Sequence, residues 1–203
     1  MPKIDAPTVA EHRAQVQARL VDAAEEILRA GQPDRLTAGA VSSAAGIARN
    51  SIYRYVDSVE DLRALVVARY LPAWLAAVDQ AMAQSEDPGA RVVTWVRANL
   101  EQAAASGHGW LMEAVRAVPH RSDETLDQAH SGMRDALADA WFDLLDGDEQ
   151  RSTLAAAFTL GILEGGFRQL DAGQPVAVVL DMGGRAAESL VRGLAAAGNA
   201  HAP

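Results

Sequence analysis

Cysteine is missing from all 203 residues, and aromatic residues make up only 5% of them. Without cysteine there are no disulfides and no thiolate-held zinc, and nothing in the chain calls for an oxidising compartment. No apolar run reaches the roughly 18 residues that a membrane span needs. The leading segment MPKIDAPTVAEHRAQ has no apolar signal-peptide core. A cytoplasmic protein with no membrane partner is therefore expected. Catalytic signatures are missing as well: there is no phosphate-binding loop, nucleophile elbow or HExxH helix. His108, His120 and His130 do not fall at i, i+4, so neither a metal site nor a cofactor is expected among them. The acidic pairs Glu60-Asp61 and Asp148-Glu149 stand at helix starts, where the helix dipole favours negative charge, and need no catalytic role. Alanine is abundant and β-branched runs are scarce, which predicts an all-α chain.

The charge is uneven. The net charge is −9, yet residues 1–56 carry seven Lys/Arg against six Asp/Glu, while residues 57–203 carry eleven against twenty-one. Between Arg35 and Val56 there are three arginines and no carboxylate. An acidic body with one locally basic surface suits a protein that meets a polyanion at one end only.

That basic stretch, LTAGAVSSAAGIARNSIYRYVDSVEDL from Leu36 to Leu62, reads as two short helices and the start of a third. Thr37 can cap the first with its hydroxyl. Val41, Ala44 and Ala45 follow at helical spacing, and Gly46 stops the helix because glycine takes the left-handed conformation that helix ends need. The second helix begins near Ala48 and Arg49. It turns Ile52 and Val56 inward and shows Asn50, Ser51, Tyr53 and Arg54 outward. This is the plan of a helix-turn-helix, whose second helix enters the major groove of DNA. Asn50 can pair with adenine, and Arg49 or Arg54 with guanine, through two hydrogen bonds each.

The leading helix VQARLVDAAEEILRAG, then LTAGAVSSAAGI, then NSIYRYVDSVEDL, resemble the N-terminal quarter of the tetracycline-repressor (TetR) family of transcriptional regulators. The resemblance implies that Tyr53, Tyr55 and Thr37 meet phosphate or sugar, on a DNA-binding surface that also holds Arg49, Asn50, Ser51 and Arg54. It implies a homodimer on a pseudo-palindromic duplex, a small-molecule effector, and a repressor released from DNA when the effector binds. Two positions depart from the family pattern. Ala48 replaces a serine that usually caps the recognition helix, and Val59 replaces a lysine that usually meets the DNA backbone.

Helical patterns continue through a long helix from about Ser58 to Gln84, interrupted by Pro72, and then over 89–106, 109–118, 122–145, 149–171 and 176–197. About nine helices are expected. They divide into a helix-turn-helix domain over residues 10–56 and a ligand-binding and dimerisation bundle over 57–198, with a mobile arm over residues 1 to about 10 and frayed residues from Asn199 to Pro203. The last two long helices carry small residues in a row, Ala157, Gly161 and Gly165. Met182, Ala186, Leu190, Leu194 and Ala197 form a second row. Such rows let helices approach closely and are expected to form the dimer surface. All four tryptophans fall outside residues 10–56. Trp95, Trp110, Met133 and Trp141, with the polar Asn99, Glu113, Arg116 and His130, are the candidates to line an effector site for a mostly apolar or aromatic molecule.

Two rival expectations stand beside this one. The first is a helical small-molecule carrier with weakened DNA binding, pointed to by Gly39, Ala48 and Val59. The second is an all-α enzyme using the body's carboxylate and histidines.

Overall fold

The structure, a computed structural model, describes residues 9–116 and 124–198. The expectations placed on the leading arm, on residues 199–203 and on the side chains of His108, Glu113, Arg116, His130 and Ala197 lie outside the described residues. Eight α-helices and two 3-10 segments make up the fold, with no strand among the described residues. Counting the six-residue 3-10 segment Arg49–Arg54 with the α-helices gives the nine helices expected.

Helix α1 (Val9–Arg29) buries Val16, Leu20, Ala24 and Leu28, one row at a spacing of four, with Val21 and Ala23 beside it. Leu28 ends the buried row, and its neighbour Ile27 is half-buried. Gly31, at φ +66°, closes the helix, and Pro33–Arg35 makes a short 3-10 turn.

Thr37 is the N-cap of α2 (Ala38–Ala44), its Oγ1 accepting from the Ala40 amide at 3.2 Å. At the other end, the Ile47 amide donates to the Ser42 carbonyl and the Gly46 amide to that of Ser43, with Gly46 at φ +69°. That paired bonding satisfies carbonyls which the helix leaves open, and it turns the chain sharply.

The next element, Arg49–Arg54, was expected as a helix and forms a tight 3-10 one. The Ser51 amide bonds to the Ala48 carbonyl at 2.8 Å and the Tyr55 amide to that of Ile52 at 2.9 Å. The physical reason lies at Ala48, which has no side chain to satisfy the first free amides. Tighter i→i+3 bonding then takes up the short segment.

Helix α3 (Val59–Met82) starts from a reciprocal cap. Ser58 Oγ accepts from the Asp61 amide at 3.0 Å, and Asp61 Oδ2 accepts from the amides of Ser58 at 2.8 Å and Asp57 at 3.1 Å. Leu62, Val66 and Val67 are fully buried, and Pro72 lies inside the helix.

The described residues divide into two compact units, one holding residues 9–69 and 110–116 and the other 70–109 and 124–198. In the second, α4 (Pro88–Ser106) is the central helix, packed against α6 (Glu124–Leu144), α7 (Glu149–Asp171) and α8 (Val176–Gly198). It buries Val92, Trp95, Val96, Asn99, Leu100 and Ala103, the i, i+3, i+4, i+7 pattern of a helix enclosed on most sides. Asp87 caps it, and Gly107 ends it at φ +77°. Glycines set how closely the helices approach. A Cβ built on Gly166 of α7 would stand 2.5 Å from Leu100 Cδ2, and one on Gly183 of α8 would stand 2.6 Å from Leu100 Cδ1.

The opposite faces of α7 and α8 are bare. Leu154, Phe158, Val178 and Met182 are all more than half exposed, and around Gly161 a Cβ would meet nothing within 4 Å. The small-residue row Ala157, Gly161 and Gly165 lies on this outer side of α7, not among the inward glycines.

Candidate nucleic-acid interface

The first unit gathers the helix-turn-helix. In the Arg49–Arg54 segment the burial alternates sharply: Ile52 is 0% exposed and Tyr53 57%. Arg49, Asn50 and Arg54 are exposed too, while Ser51 and Tyr55 are half-buried. Val56, at i+4 from Ile52, completes the inner face. The outward face therefore carries two guanidiniums, a carboxamide and a phenol, all donors or acceptors of the kind that meet phosphates and base edges. Thr37 sits at the start of the preceding helix with its hydroxyl held by the Ala40 amide. The Arg49 side chain passes over Gly39, whose missing Cβ would lie 3.9 Å from Arg49 Cδ. Alanine would fit there, so the glycine is not required by packing.

Tyr53, Arg54, Tyr55, Asp57 and Asp61 share an open groove of about 360 Å³ with Arg13 and Gln17 of α1. Sequence reasoning did not single out Arg13 and Gln17. The signal that could have found them is their i, i+4 spacing on α1, one step off the buried row that starts at Val16. Asp61 is committed to capping α3, as described above.

The unit is tied together by an ionic chain. Arg69 Nη1 of α3 donates to Asp22 Oδ1 at 2.7 Å and to Glu25 Oε2 at 2.9 Å on α1. Arg29 Nε donates to the other Glu25 oxygen at 2.9 Å, and its guanidinium stands 4.6 Å above the Trp110 ring of α5 (His108–Arg116). Burial works to lower the Arg69 pKa, but the hydrogen bonds and charges of Asp22 and then Glu25 outweigh it and raise the value.

The candidate effector residues are sorted into three places. Trp95, Asn99 and Met133 come together in the second unit. Trp74 Nε1 donates to Asn99 Oδ1 at 2.8 Å, Asn99 Nδ2 to the Trp95 carbonyl at 2.8 Å, and Trp95 Nε1 to the Met133 carbonyl at 3.1 Å. Trp74 also meets Phe167 edge-on, with ring centroids 6.3 Å apart. Trp141, fully buried, donates to Thr159 Oγ1 at 2.9 Å, and that hydroxyl donates to the Ala155 carbonyl at 2.8 Å. Trp110 belongs to the first unit, beneath Arg29. Among the described residues no three His, Cys, Asp or Glu side chains are grouped to hold a metal, and no helix is long and apolar enough to cross a membrane.

No family model and no curated protein match this chain. Solved structures do. The TetR family transcriptional regulator PfmR from Thermus thermophilus superposes with a TM-score of 0.68 at 13% identity, over 86% of this chain and 97% of its own. The fatty acid degradation regulator FadR from Bacillus halodurans gives 0.63 at 16% identity, over 85% and 94%. A TetR-like transcriptional regulator from a Rhodococcus species gives 0.58 at 20% identity, over 94% and 99%. The chain thus has the fold of the TetR-family transcriptional regulators.

Proposed function

We propose that the protein is a homodimeric, cytoplasmic DNA-binding regulator, a repressor released from a pseudo-palindromic operator by a small, mostly apolar or aromatic molecule. Residues 10–56 form its DNA-binding domain and residues 57–198 its effector-binding and dimerising domain. The observation that carries this reading is the Arg49–Arg54 segment. Its one apolar residue is wholly buried, while Arg49, Asn50, Tyr53 and Arg54 are all exposed on a stretch without carboxylates. Asn50, with Arg49 or Arg54, reads base edges; Thr37, Tyr53 and Tyr55 hold the DNA backbone and fix the register, with Ser51 on the same surface. Arg13, which shares the Tyr53 groove, adds a cation at its rim.

The bare face of α7 and α8 supports dimerisation. Phe158 and Met182 are about three-fifths exposed, and the row Ala157, Gly161, Gly165 lets a second copy's helices approach closely. Two-fold protein symmetry is then mirrored in the operator. In the body, Trp95, Asn99, Met133 and Trp141, together with Trp110, Glu113, Arg116 and His130, are the residues proposed to respond to the effector.

The test begins with selection of duplexes from a random pool by the wild-type protein, followed by quantitative footprinting. Replacing Asn50 or Arg54 should relax base preference, at about 1–3 kcal/mol per lost bidentate pair. Tyr53→Phe should weaken binding to all sequences alike. Selection of no duplex by a folded dimer that still binds apolar compounds would instead establish a helical carrier, the reading that Ala48, with no capping side chain, favours.

A further inference from the structure

The open groove beside Tyr53 lies wholly within the first unit, its residues running from Arg13 to Ala68. Its volume, about 360 Å³, is enough for a small organic molecule. The apolar part comes from α3. Leu62, Val66 and Val67 of that helix are buried, while Ala64 and Leu65 are half-buried and Ala68 is exposed. A strip of α3 is thus only partly covered, and with Val56 it gives the groove its apolar surface.

The polar part carries positive charge that the fold does not use. Arg29, Arg35 and Arg69 spend their guanidiniums within the unit, on Glu25, on Gln32, and on Asp22 with Glu25. Arg13 and Arg54, both exposed, make no ion pair or side-chain hydrogen bond among the described residues. Two carboxylates also reach the groove. Asp61 is spent on the cap of α3, accepting the amides of Ser58 and Asp57 at the positive end of the helix dipole. Asp57 is exposed and solvated. The free donors are therefore two guanidiniums, the phenols of Tyr53 and Tyr55 and the Gln17 carboxamide, all beside an apolar strip.

We propose that this groove is a second ligand site, one that takes a small aromatic carboxylate. The ring lies on Leu65 and Ala68, and the carboxylate pairs with Arg13 and Arg54. In one respect the inference rests on the regulator reading: Tyr53 and Arg54 are also proposed to meet DNA, so ligand and duplex exclude one another at the same side chains. An effector in the body acts differently. Its influence on DNA binding saturates at the coupling between two sites, whereas direct competition has no ceiling.

The chain's three tyrosines make the test direct, because Tyr53 and Tyr55 line the groove and Tyr70 does not. The full chain is made with 3-fluorotyrosine, and its fluorine resonances are assigned by Tyr53→Phe, Tyr55→Phe and Tyr70→Phe. On titration with 2-naphthoate, the Tyr53 and Tyr55 resonances should shift along one saturating curve while that of Tyr70 moves far less. Arg13→Gln should weaken the affinity about tenfold, the loss of one charge-assisted hydrogen bond. The neutral 2-acetylnaphthalene should bind more weakly than 2-naphthoate by at least that factor. Ala68→Glu sets a carboxylate at an exposed position of the rim and should abolish the shifts. Circular dichroism checks that both variants are folded. Absence of shifts at Tyr53 and Tyr55, a shift as large at Tyr70, or one affinity shared by the wild type, Arg13→Gln and Ala68→Glu would overturn the site. With a duplex selected by the wild-type protein, the apparent dissociation constant of the duplex should rise in proportion to added 2-naphthoate, and Ala68→Glu should remove the rise. A plateau in that rise would overturn the competition. Failure of the regulator reading shows itself separately, as no duplex being selected, and the fluorine titrations then still decide the site.

Discussion

Gly166→Ala is the sharpest probe of how the bundle is built. Leu100 is fully buried, and its two methyls face two glycines, Cδ2 toward Gly166 and Cδ1 toward Gly183. A new Cβ at Gly166 would stand 2.5 Å from Cδ2. Turning Leu100 away drives its other methyl toward Gly183, where the room is no greater. Overpacking of this kind costs about 1–3 kcal/mol. Against it, alanine in a helix interior gains about 1 kcal/mol over glycine. The net is a loss of roughly 1 kcal/mol, which lowers the melting temperature by about 2–4 °C in a chain of this size. Gly132→Ala in α6 is the control, because a Cβ there meets nothing within 4 Å. It should raise the melting temperature by a similar amount, having the propensity gain and no clash. Circular-dichroism melts of the two variants at one protein concentration should thus move in opposite directions. Adding Leu100→Ala to Gly166→Ala should then show a coupling of about 0.5–3 kcal/mol. If Gly166→Ala stabilised the protein as much as Gly132→Ala does, the wedge of Leu100 between two glycines would not be what sets the helix spacing.

Further expectations follow from single contacts. Ala48→Ser supplies the cap that Arg49–Arg54 lacks. It should stabilise the head by up to about 1 kcal/mol and tighten binding to every duplex alike, as read by melting and by filter binding. Thr159→Val leaves the Trp141 indole N–H buried without its acceptor and should cost about 1–3 kcal/mol in urea unfolding, with a shift in tryptophan emission. Gly161→Arg places a charge on the bare face of α7, where a side chain fits within one chain. Light scattering should therefore report monomers while circular dichroism stays helical, and a dimer of unchanged stability would move the interface elsewhere.

Local order was legible in the sequence because its signals are local. Thr37 and Gly46 begin and end a helix where their chemistry demands, and the helical patterns of the body match α4 to α8 within a residue or two over the described residues. The 3-10 form of Arg49–Arg54 was harder to foresee. It follows from the side chain that Ala48 lacks and not from any residue that is present. What periodicity could not give was partnership. A stripe shows which side of a helix is apolar but not which helix it meets. The candidates Trp95, Trp110 and Trp141, alike in sequence, therefore went to Met133, Arg29 and Thr159. In α7 the same limit applied to glycine. Gly161 and Gly166 are five residues apart, one facing open space and the other Leu100, and only the packing of α4 distinguishes them.

The separation of inner from outer residues in Arg49–Arg54 has a consequence for how the protein can change over generations. Folding of the head depends there on Ile52 and Val56, and on the caps at Thr37 and Ser58, none of which shows a base-reading group outward. Arg49, Asn50, Tyr53 and Arg54 are exposed and so carry little of the stability. Mutations at these four positions can be sampled one after another without passing through unfolded intermediates. On the proposed DNA-reading role of this face, a new target sequence is within reach of a few substitutions, and duplicated copies of such a chain can diverge in what they recognise while keeping one fold.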